Sequence, residues 1–311
     1  MKICPVMKKI PFYLVTGFLG SGKTTLIKQF IELHADSKKI AIIQNEFAEV
    51  NIDSRELRET GKSFGLIEMN NGSVFCVCLL GSFVRSLADF IDEHHPDLII
   101  LEASGLSDPI SISQMISAPA LRNSLWLAHT YTIVDVLNFR KTIERVGRNT
   151  HQTRVADTIV LNKIDLAPES IPEIRSKILL INPFAEVIES SFGRNVFLAG
   201  MKFHRPVEMI VTEETDSTGR PDVDSVIIKV MKPISTENLD RFIQKYSLIA
   251  YRIKGYATTD SGPVAIQTSF KHTEIKHVAA NPYNTEIVII GPEIDQKELQ
   301  LEFEYLCDQH K

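Results

Sequence analysis

The chain has 311 residues, which favours about two domains, and 44% of its residues are hydrophobic, as is ordinary for a globular protein that buries a core. Its net charge of −5 and its pI near 6.0, with no basic run, argue against nucleic-acid binding. No apolar run is long enough to span a bilayer and the four cysteines are too scattered for a disulfide framework, so we expect a cytoplasmic protein with no membrane partner.

The first predicted elements flank a glycine-rich run. Apolar residues 12–15 predict a buried strand, and residues 25–33 carry apolar side chains at helical spacing. Between them, residues 17–24 read GFLGSGKT, which matches the phosphate-binding pattern GxxxxGK[ST]. Glycines let backbone N–H groups point at phosphate oxygens, in front of the positive end of the following helix. The sequence therefore predicts a site for a nucleoside triphosphate.

Two side chains of this run have predicted roles of their own. Lys23 supplies a mobile positive charge for the β- and γ-phosphates, and the Thr24 hydroxyl is a suitable hard oxygen ligand for Mg²⁺. The predicted phosphate-binding residues are Gly17, Gly20, Ser21, Gly22, Lys23, Thr24 and Thr25.

Strand and helix patterns alternate downstream. Further strands are predicted at residues 40–43, 98–101, 132–134 and 158–161, with a helix at residues 83–93. This alternation is typical of a mostly parallel sheet covered on both faces, and it predicts a doubly wound α/β domain of the P-loop NTPase class over residues 1–205.

The last third of the chain has a different pattern. Residues 206–223 include a polar stretch that predicts a linker, and residues 224–311 predict a smaller α+β domain. Its predicted strands are residues 226–230, 248–253 and 286–290, and its predicted helices are residues 237–246 and 295–307.

Acidic residues follow two of the predicted strands. Glu102 ends one strand, where it could hold a Mg²⁺-bound water or position the attacking water, and the backbone N–H of Gly105 could sense the γ-phosphate. The alternative for Glu102 is a cap on the next helix. Asp135 could likewise line the nucleotide pocket or cap a helix. The sequence leaves both pairs of alternatives open.

A second motif, NKID at residues 162–165, follows a predicted strand directly, where doubly wound folds bind ligands. The Asp165 carboxylate can accept hydrogen bonds from the N1–H and the exocyclic amine of guanine, whereas adenine presents an acceptor at N1. Lys163 would lay its aliphatic stem along the base, and Asn162 would tie this base loop to the phosphate loop. Because charge-assisted bonds contribute about 1.5–3 kcal/mol, we predict GTP over ATP.

Four motifs together resemble the CobW-type GTPases, relatives of the UreG and HypB metallochaperones. The motifs are GFLGSGKTT at residues 17–25, NEFAEVNID at residues 45–53, EASGLSDP at residues 102–109 and NKID at residues 162–165. The chain from about residue 224 onward is similar to the C-terminal domain of that family. The resemblance implies a nucleotide-switched protein that binds a transition metal, commonly zinc or cobalt, and delivers it to a client metalloprotein. A homodimer is compatible with it.

The resemblance also implies a metal motif. Family members carry CxCC soon after an Asn-Gly pair, and here residues 71–72 are followed by Cys76 and Cys78, which preserve two of the three thiols in one register. Two thiolates one residue apart suit Zn²⁺ or Cu(I), with Glu46 and Glu49 as the further donors if the loop after Gln44 folds over them. The alternative is that Cys76 and Cys78 are small residues on one face of a buried strand.

These expectations combine into one functional hypothesis. GTP with Mg²⁺ would order residues 45–53 against the γ-phosphate, and hydrolysis would release that segment and the metal. Two alternatives from other classes are a GTP-dependent interaction switch without metal cargo, and a phosphotransferase, which the guanine motif disfavours.

Overall fold

The chain forms two compact units, Met1–Met209 and Ile210–Lys311, in a computed structural model. The structure describes residues 9–45, 65–69, 77–103, 112, 115–116, 118–139, 147–183, 185–198, 224–250, 252–269, 272–278, 285–291 and 294–309. The predicted linker at residues 206–223 lies outside the described residues. The limits of the two domains therefore stay a prediction.

The described part of the first unit is a parallel sheet with helices. Its strands are β1 (Ile10–Gly17), β2 (Ile40–Asn45), β3 (Gly65–Met69), β4 (Leu98–Glu102), β5 (Leu125–Asp135), β6 (Thr158–Asn162) and β7 (Glu186–Ser190). Its helices are α1 (Lys23–His34), α2 (Val77–His94), α3 (Gly147–Val155) and α4 (Ile171–Ile181), the last preceded by a 3₁₀ turn at Pro168–Ser170. The strand order is β3-β2-β4-β1-β5-β6-β7, and the neighbouring strands are parallel.

The central strand shows why both faces of this sheet are covered. Phe12 and Leu14 belong to a buried cluster on one face with side chains of α2, whereas Tyr13 and Val15 belong to a cluster on the other face with side chains of α1. Successive residues of a strand point to opposite faces, so a continuous apolar run requires burial on both sides. The predicted doubly wound fold is confirmed.

The topology also sets the position of the functional residues. Because the strands are parallel, their carboxyl ends lie along one edge of the sheet. Chain order reverses at β1, which lies between β4 and β5. Ligands of open α/β sheets bind at such a reversal, outside the carboxyl ends of the strands.

The second unit has an antiparallel sheet and two helices among its described residues. Its strands are β8 (Asp224–Val230), β9 (Arg252–Thr259), β10 (Gly262–Ser269), β11 (His272–His277) and β12 (Thr285–Gly291), and its helices are α5 (Thr236–Tyr246) and α6 (Gln296–Asp308). The strand order is β11-β10-β9-β12-β8, and apolar side chains of α5 and α6 share one buried cluster with the sheet. This is the predicted smaller α+β domain.

One edge of this sheet is bonded to a helix. In α6, the Gln296 amide accepts from Ile227 N at 3.0 Å and donates to Ile227 O at 2.7 Å. Gln300 bonds the N–H and C=O of Lys229 in the same way, at 3.2 and 2.9 Å. These two side chains take the place of a neighbouring strand and cover the backbone groups of the β8 edge.

The prediction of a strand over residues 248–253 is wrong at its start. Leu248 and Ile249 are 71% and 49% exposed, and Ala250 N donates to Tyr246 O at 2.7 Å. The apolar residues 248–250 therefore complete the turn that ends α5, and β9 begins only at Arg252.

Helix α2 begins at Val77, earlier than the predicted start at residue 83. Its last residue is His94, one residue beyond the predicted end at residue 93. Within the described ranges, no helix combines the length and the apolar character needed to cross a membrane.

A glycine in β9 provides a stability prediction. A Cβ atom on Gly255 would lie 2.1 Å from Glu286 O and 2.7 Å from Ile287 Cα in the adjacent strand β12. Gly255→Ala should therefore lower the free energy of unfolding of the second unit by about 1–3 kcal/mol, because two strands must separate. The matched change Gly81→Ala in α2 meets open space and should raise stability by up to about 1 kcal/mol. Hydrogen exchange resolved by peptide measures both effects, and equal effects at the two positions would contradict the assigned contacts.

Candidate functional site

Glycines shape the loop between β1 and α1. Gly17, Gly20 and Gly22 have φ angles of 138°, 73° and 105°, in the left-handed region that favours glycine. A Cβ atom on Gly17 would lie 2.4 Å from Ile133 O, and one on Gly22 would lie 2.3 Å from Asn162 Nδ2. Larger residues do not fit at these two positions, so the path of the backbone requires the glycine spacing of the motif.

Lys23 begins α1 and its side chain returns to the glycine loop. Its Nζ atom donates to Gly17 O at 3.1 Å and to Phe18 O at 3.3 Å, and the residue is only 7% exposed. The ammonium group is therefore held against the loop. This is the location from which a lysine can reach the phosphates of a nucleotide bound by the loop N–H groups.

Thr24, in the first turn of α1, contacts Glu102, the last residue of β4. The Thr24 hydroxyl donates to Glu102 Oε1 at 2.8 Å, and Gln44 Nε2 donates to Glu102 Oε2 at 3.0 Å. A hydroxyl and a carboxylate are hard oxygen ligands of the kind Mg²⁺ prefers, so this pair fits the metal. The buried carboxylate is bound by two neighbouring elements.

Gln44 was not identified from the sequence. It lies opposite Glu102 in the β2–β4 register and is 2% exposed. Its place at the end of a buried strand, directly before the motif at residues 45–53, is the signal that could have identified it.

Asn162 joins the two predicted nucleotide loops. Its Nδ2 atom donates to Ser21 O in the phosphate loop at 2.8 Å, and its Oδ1 atom accepts from Gly193 N at 3.4 Å. The residue is 3% exposed. The predicted tie between the base loop and the phosphate loop is present, and it includes a third segment that follows β7.

This third segment, residues 190–195, was not identified from the sequence. The Ser191 hydroxyl donates to Asp165 Oδ1 at 2.6 Å, which orients the carboxylate assigned to guanine. Phe192, Gly193 and Asn195 have φ angles of 58°, 71° and 64°. A positive φ is free of steric cost for Gly193 but costly for Phe192 and Asn195, and such strain is typical of functional sites. Only the glycine was a visible signal in the sequence.

Lys163 connects the base loop to two other segments. Its Nζ atom donates to Gly20 O at 2.8 Å and to Asp135 Oδ2 at 2.7 Å. Asp135 Oδ1 also accepts from Leu137 N at 3.0 Å, which caps the turn after β5. The structure thus gives Asp135 a turn cap and an ion pair, a combination that the two alternatives from the sequence did not include.

Four predicted site residues lie outside the described residues: the metal ligands Glu46, Glu49 and Cys76, and Gly105, which is predicted to contact the γ-phosphate. Of the predicted metal ligand Cys78, only the backbone is described. That backbone is in the first turn of α2, so the alternative that places Cys78 on a buried strand is wrong. Within the described part of the chain, no group of three or more His, Cys, Asp or Glu residues could hold a metal ion.

Two protein-family models match this chain, one in each unit. Residues 11–189 match the model of the CobW/HypB/UreG nucleotide-binding domain. Residues 223–306 match the model of the cobalamin synthesis protein cobW C-terminal domain.

Named relatives and a solved structure are similar over most of the chain. The zinc chaperone CobW of Pseudomonas aeruginosa is 26% identical over 93% of this chain and 89% of its own. The zinc-regulated GTPase metalloprotein activator 1 of Saccharomyces cerevisiae is 25% identical over 77% of this chain and 63% of its own. The structure of the Zn(II)-bound YjiA GTPase from E. coli aligns with a TM-score of 0.64 and 21% identity, covering 96% of this chain and 99% of that one. The last likeness shows the same fold.

Proposed function

The chain belongs to the CobW/HypB/UreG family, and from that premise we propose that it is a GTP-hydrolysing metal chaperone that delivers a zinc-class ion to a client metalloprotein. One observation carries the nucleotide part of this proposal. Asn162 and Lys163 both bond the phosphate loop, at 2.8 Å each, so the base loop and the phosphate loop form one nucleotide site. In this proposal residues 1–205 bind GTP, residues 206–223 are a linker, and residues 224–311 help to engage the client in the cytoplasm.

The choice of guanine rests on Asp165. A carboxylate pairs with two adjacent donors, which guanine presents at N1 and at its exocyclic amine. The hydroxyl of Ser191 bonds Oδ1 of this carboxylate and orients it before the base arrives. Adenine would leave the carboxylate without those donors, which costs about 1.5–3 kcal/mol.

The hydrolysis step is assigned to Lys23, Glu102 and Gly105, with Thr24 as a further ligand of Mg²⁺. Lys23 would contact the β- and γ-phosphate oxygens, and Gly105 would donate its N–H to the γ-phosphate. Thr24 and Glu102 would hold Mg²⁺, which supplies electrostatic stabilisation of the charge that develops on the phosphates. Glu102 would also orient the attacking water through its carboxylate, which Gln44 keeps in place.

The cargo part of the proposal rests on the family and on the order of two strands. Glu46 directly follows the last residue of β2, and the segment with Cys76 follows β3. These strands are adjacent and parallel, with Asn45 paired to Met69 at their carboxyl ends. The residues that follow these two strands in the sequence therefore start from adjacent strand ends, which supports a shared metal ion with Cys76, Cys78 and Glu46 as ligands.

The same topology supports coupling between cargo and nucleotide. Gln44 precedes the segment with Glu46 and donates to Glu102, the proposed Mg²⁺ ligand. Loss of the γ-phosphate would change the contacts of this segment and so the ligand geometry at the metal.

The test is metal binding and GTP turnover in the double variant Cys76→Ser/Cys78→Ser. We expect its Zn²⁺ affinity to fall by more than about 100-fold, because two thiolate ligands are lost. We also expect Zn²⁺ to change GTP turnover in the wild type and to leave the variant unaffected. Competition with a chromophoric chelator and a phosphate-release assay measure the two effects.

Cys307 supplies the matched control. It is 5% exposed in the core of the second unit, and burial raises the pKa of its thiol to about 11, so it stays protonated at neutral pH. Cys307→Ala should leave Zn²⁺ affinity unchanged. Equal Zn²⁺ affinities and rates in the wild type and the double variant would favour the interaction switch without metal cargo.

A further inference from the structure

The ion pair between Asp135 and Lys163 joins two loops of the nucleotide site. Asp135 ends β5 and is the register partner of Asn162 in β6, so it lies directly beside the base loop. Its side chain is 8% exposed and that of Lys163 is 31% exposed, with 2.7 Å between Oδ2 and Nζ. The Nζ atom also donates to Gly20 O at 2.8 Å.

The carboxylate of Asp135 is itself fixed. Oδ1 accepts from Leu137 N at 3.0 Å, and Oδ2 accepts from Asn138 Nδ2 at 3.0 Å as well as from Lys163. Lys163, by contrast, has a long side chain and a φ angle of 63°, which is unfavourable for a residue other than glycine. A fixed carboxylate therefore restrains a flexible ammonium group on a strained backbone.

We propose that Asp135 is a positioning residue for guanine nucleotides, which acts by holding the Lys163 ammonium against the Gly20 carbonyl and so fixing the base loop relative to the phosphate loop. This inference rests on the proposed function. The restraint is present without a ligand, so it lowers the entropy that binding must remove. It acts on the base side of the site and not at the γ-phosphate, so it raises the affinities for GDP and for GTP equally.

The decisive variant is Asp135→Asn. Asparagine keeps an oxygen that accepts from Leu137 N, so this bond of the turn is retained, whereas the charge that holds Lys163 and the acceptor for Asn138 Nδ2 are lost. We expect the Kd values for GTP and for GDP to rise by about tenfold each, with kcat at saturating GTP within about twofold of the wild type. Calorimetric titration and single-turnover hydrolysis measure these quantities.

Glu237→Gln is the matched control. It neutralises a carboxylate that pairs with Arg241 at 2.9 Å in α5 of the second unit, and both nucleotide affinities should stay unchanged. A Lys163→Met variant and the double variant complete a double-mutant cycle, in which Asp135→Asn should have no further effect on nucleotide affinity once its partner is absent. A variant that merely lost folded protein would lower the affinity further in the Lys163→Met background.

Three outcomes would overturn the inference: an Asp135→Asn variant with wild-type affinities, one that lowers kcat alone, or a further loss of about tenfold in the Lys163→Met background. Failure of the proposed function is distinguishable, because in that case the wild type itself would not bind GTP.

Discussion

Replacement of Asp165 by Asn is expected to weaken GTP binding by about 10- to 100-fold and to create a preference for xanthosine triphosphate. Guanine presents two donors to the carboxylate, and an amide can accept from only one of them. Xanthine carries a carbonyl in place of the exocyclic amine, so the amide NH₂ gains an acceptor there. Competition of GTP, XTP and ATP against a fluorescent guanine nucleotide measures the change.

Ser191→Ala separates orientation of the carboxylate from recognition of the base. It removes the 2.6 Å hydrogen bond to Asp165 Oδ1 and leaves both carboxylate oxygens available to guanine. GTP should bind about three- to tenfold more weakly with an unchanged order of base preference.

Unchanged selectivity in Asp165→Asn would mean that residues 162–165 are not the base loop. A wild-type preference for ATP would favour a phosphotransferase.

In the first unit, the strands that were predicted correctly are those that are buried on both faces of the sheet. β1, β4 and β6 are apolar over most of their length because helices cover both sides of the sheet, and such runs are visible without knowledge of the topology. β3 and β7 were missed, and they are the two edges of this sheet. In the second unit, β10 and β11 were missed as well. β7 carries Glu186 and Glu189 and is mostly half-buried or exposed, since one of its sides lacks a neighbouring strand. An edge strand can therefore be polar.

A similar distinction separates the site residues that were predicted from those that were missed. Lys23, Thr24 and Asn162 belong to motifs in which the ligand chemistry requires particular residue types at fixed spacing. Ser191 and Gln44 bond predicted residues, but these bonds depend on which strands are adjacent. A single sequence does not reveal that adjacency. Asp135 was ambiguous because a carboxylate after a strand is typical of both turn caps and ligand sites.

Replacement of Glu102 by Gln is expected to lower the rate of GTP hydrolysis by about 100-fold or more while leaving GDP binding within about threefold of the wild type. The carboxylate accepts from Thr24 Oγ1 at 2.8 Å and from Gln44 Nε2 at 3.0 Å. An amide presents one oxygen and one NH₂ group, so it can keep the bond from Gln44 only if the Thr24 hydroxyl accepts from it instead of donating to it. The negative charge that would hold Mg²⁺ is also lost.

The measurement is single-turnover release of phosphate from saturating GTP over a series of Mg²⁺ concentrations. Glu102→Asp keeps the charge on a shorter side chain and should have an intermediate rate with a raised Mg²⁺ requirement. Gln44→Leu keeps the carboxylate but removes one donor to it, and its rate should fall by less than that of Glu102→Gln. A wild-type rate in Glu102→Gln would place the Mg²⁺ ligand and the water-positioning group elsewhere. Because Asn162 and Lys163 contact the phosphate loop independently of Glu102, GDP affinity should respond only slightly even when hydrolysis is lost.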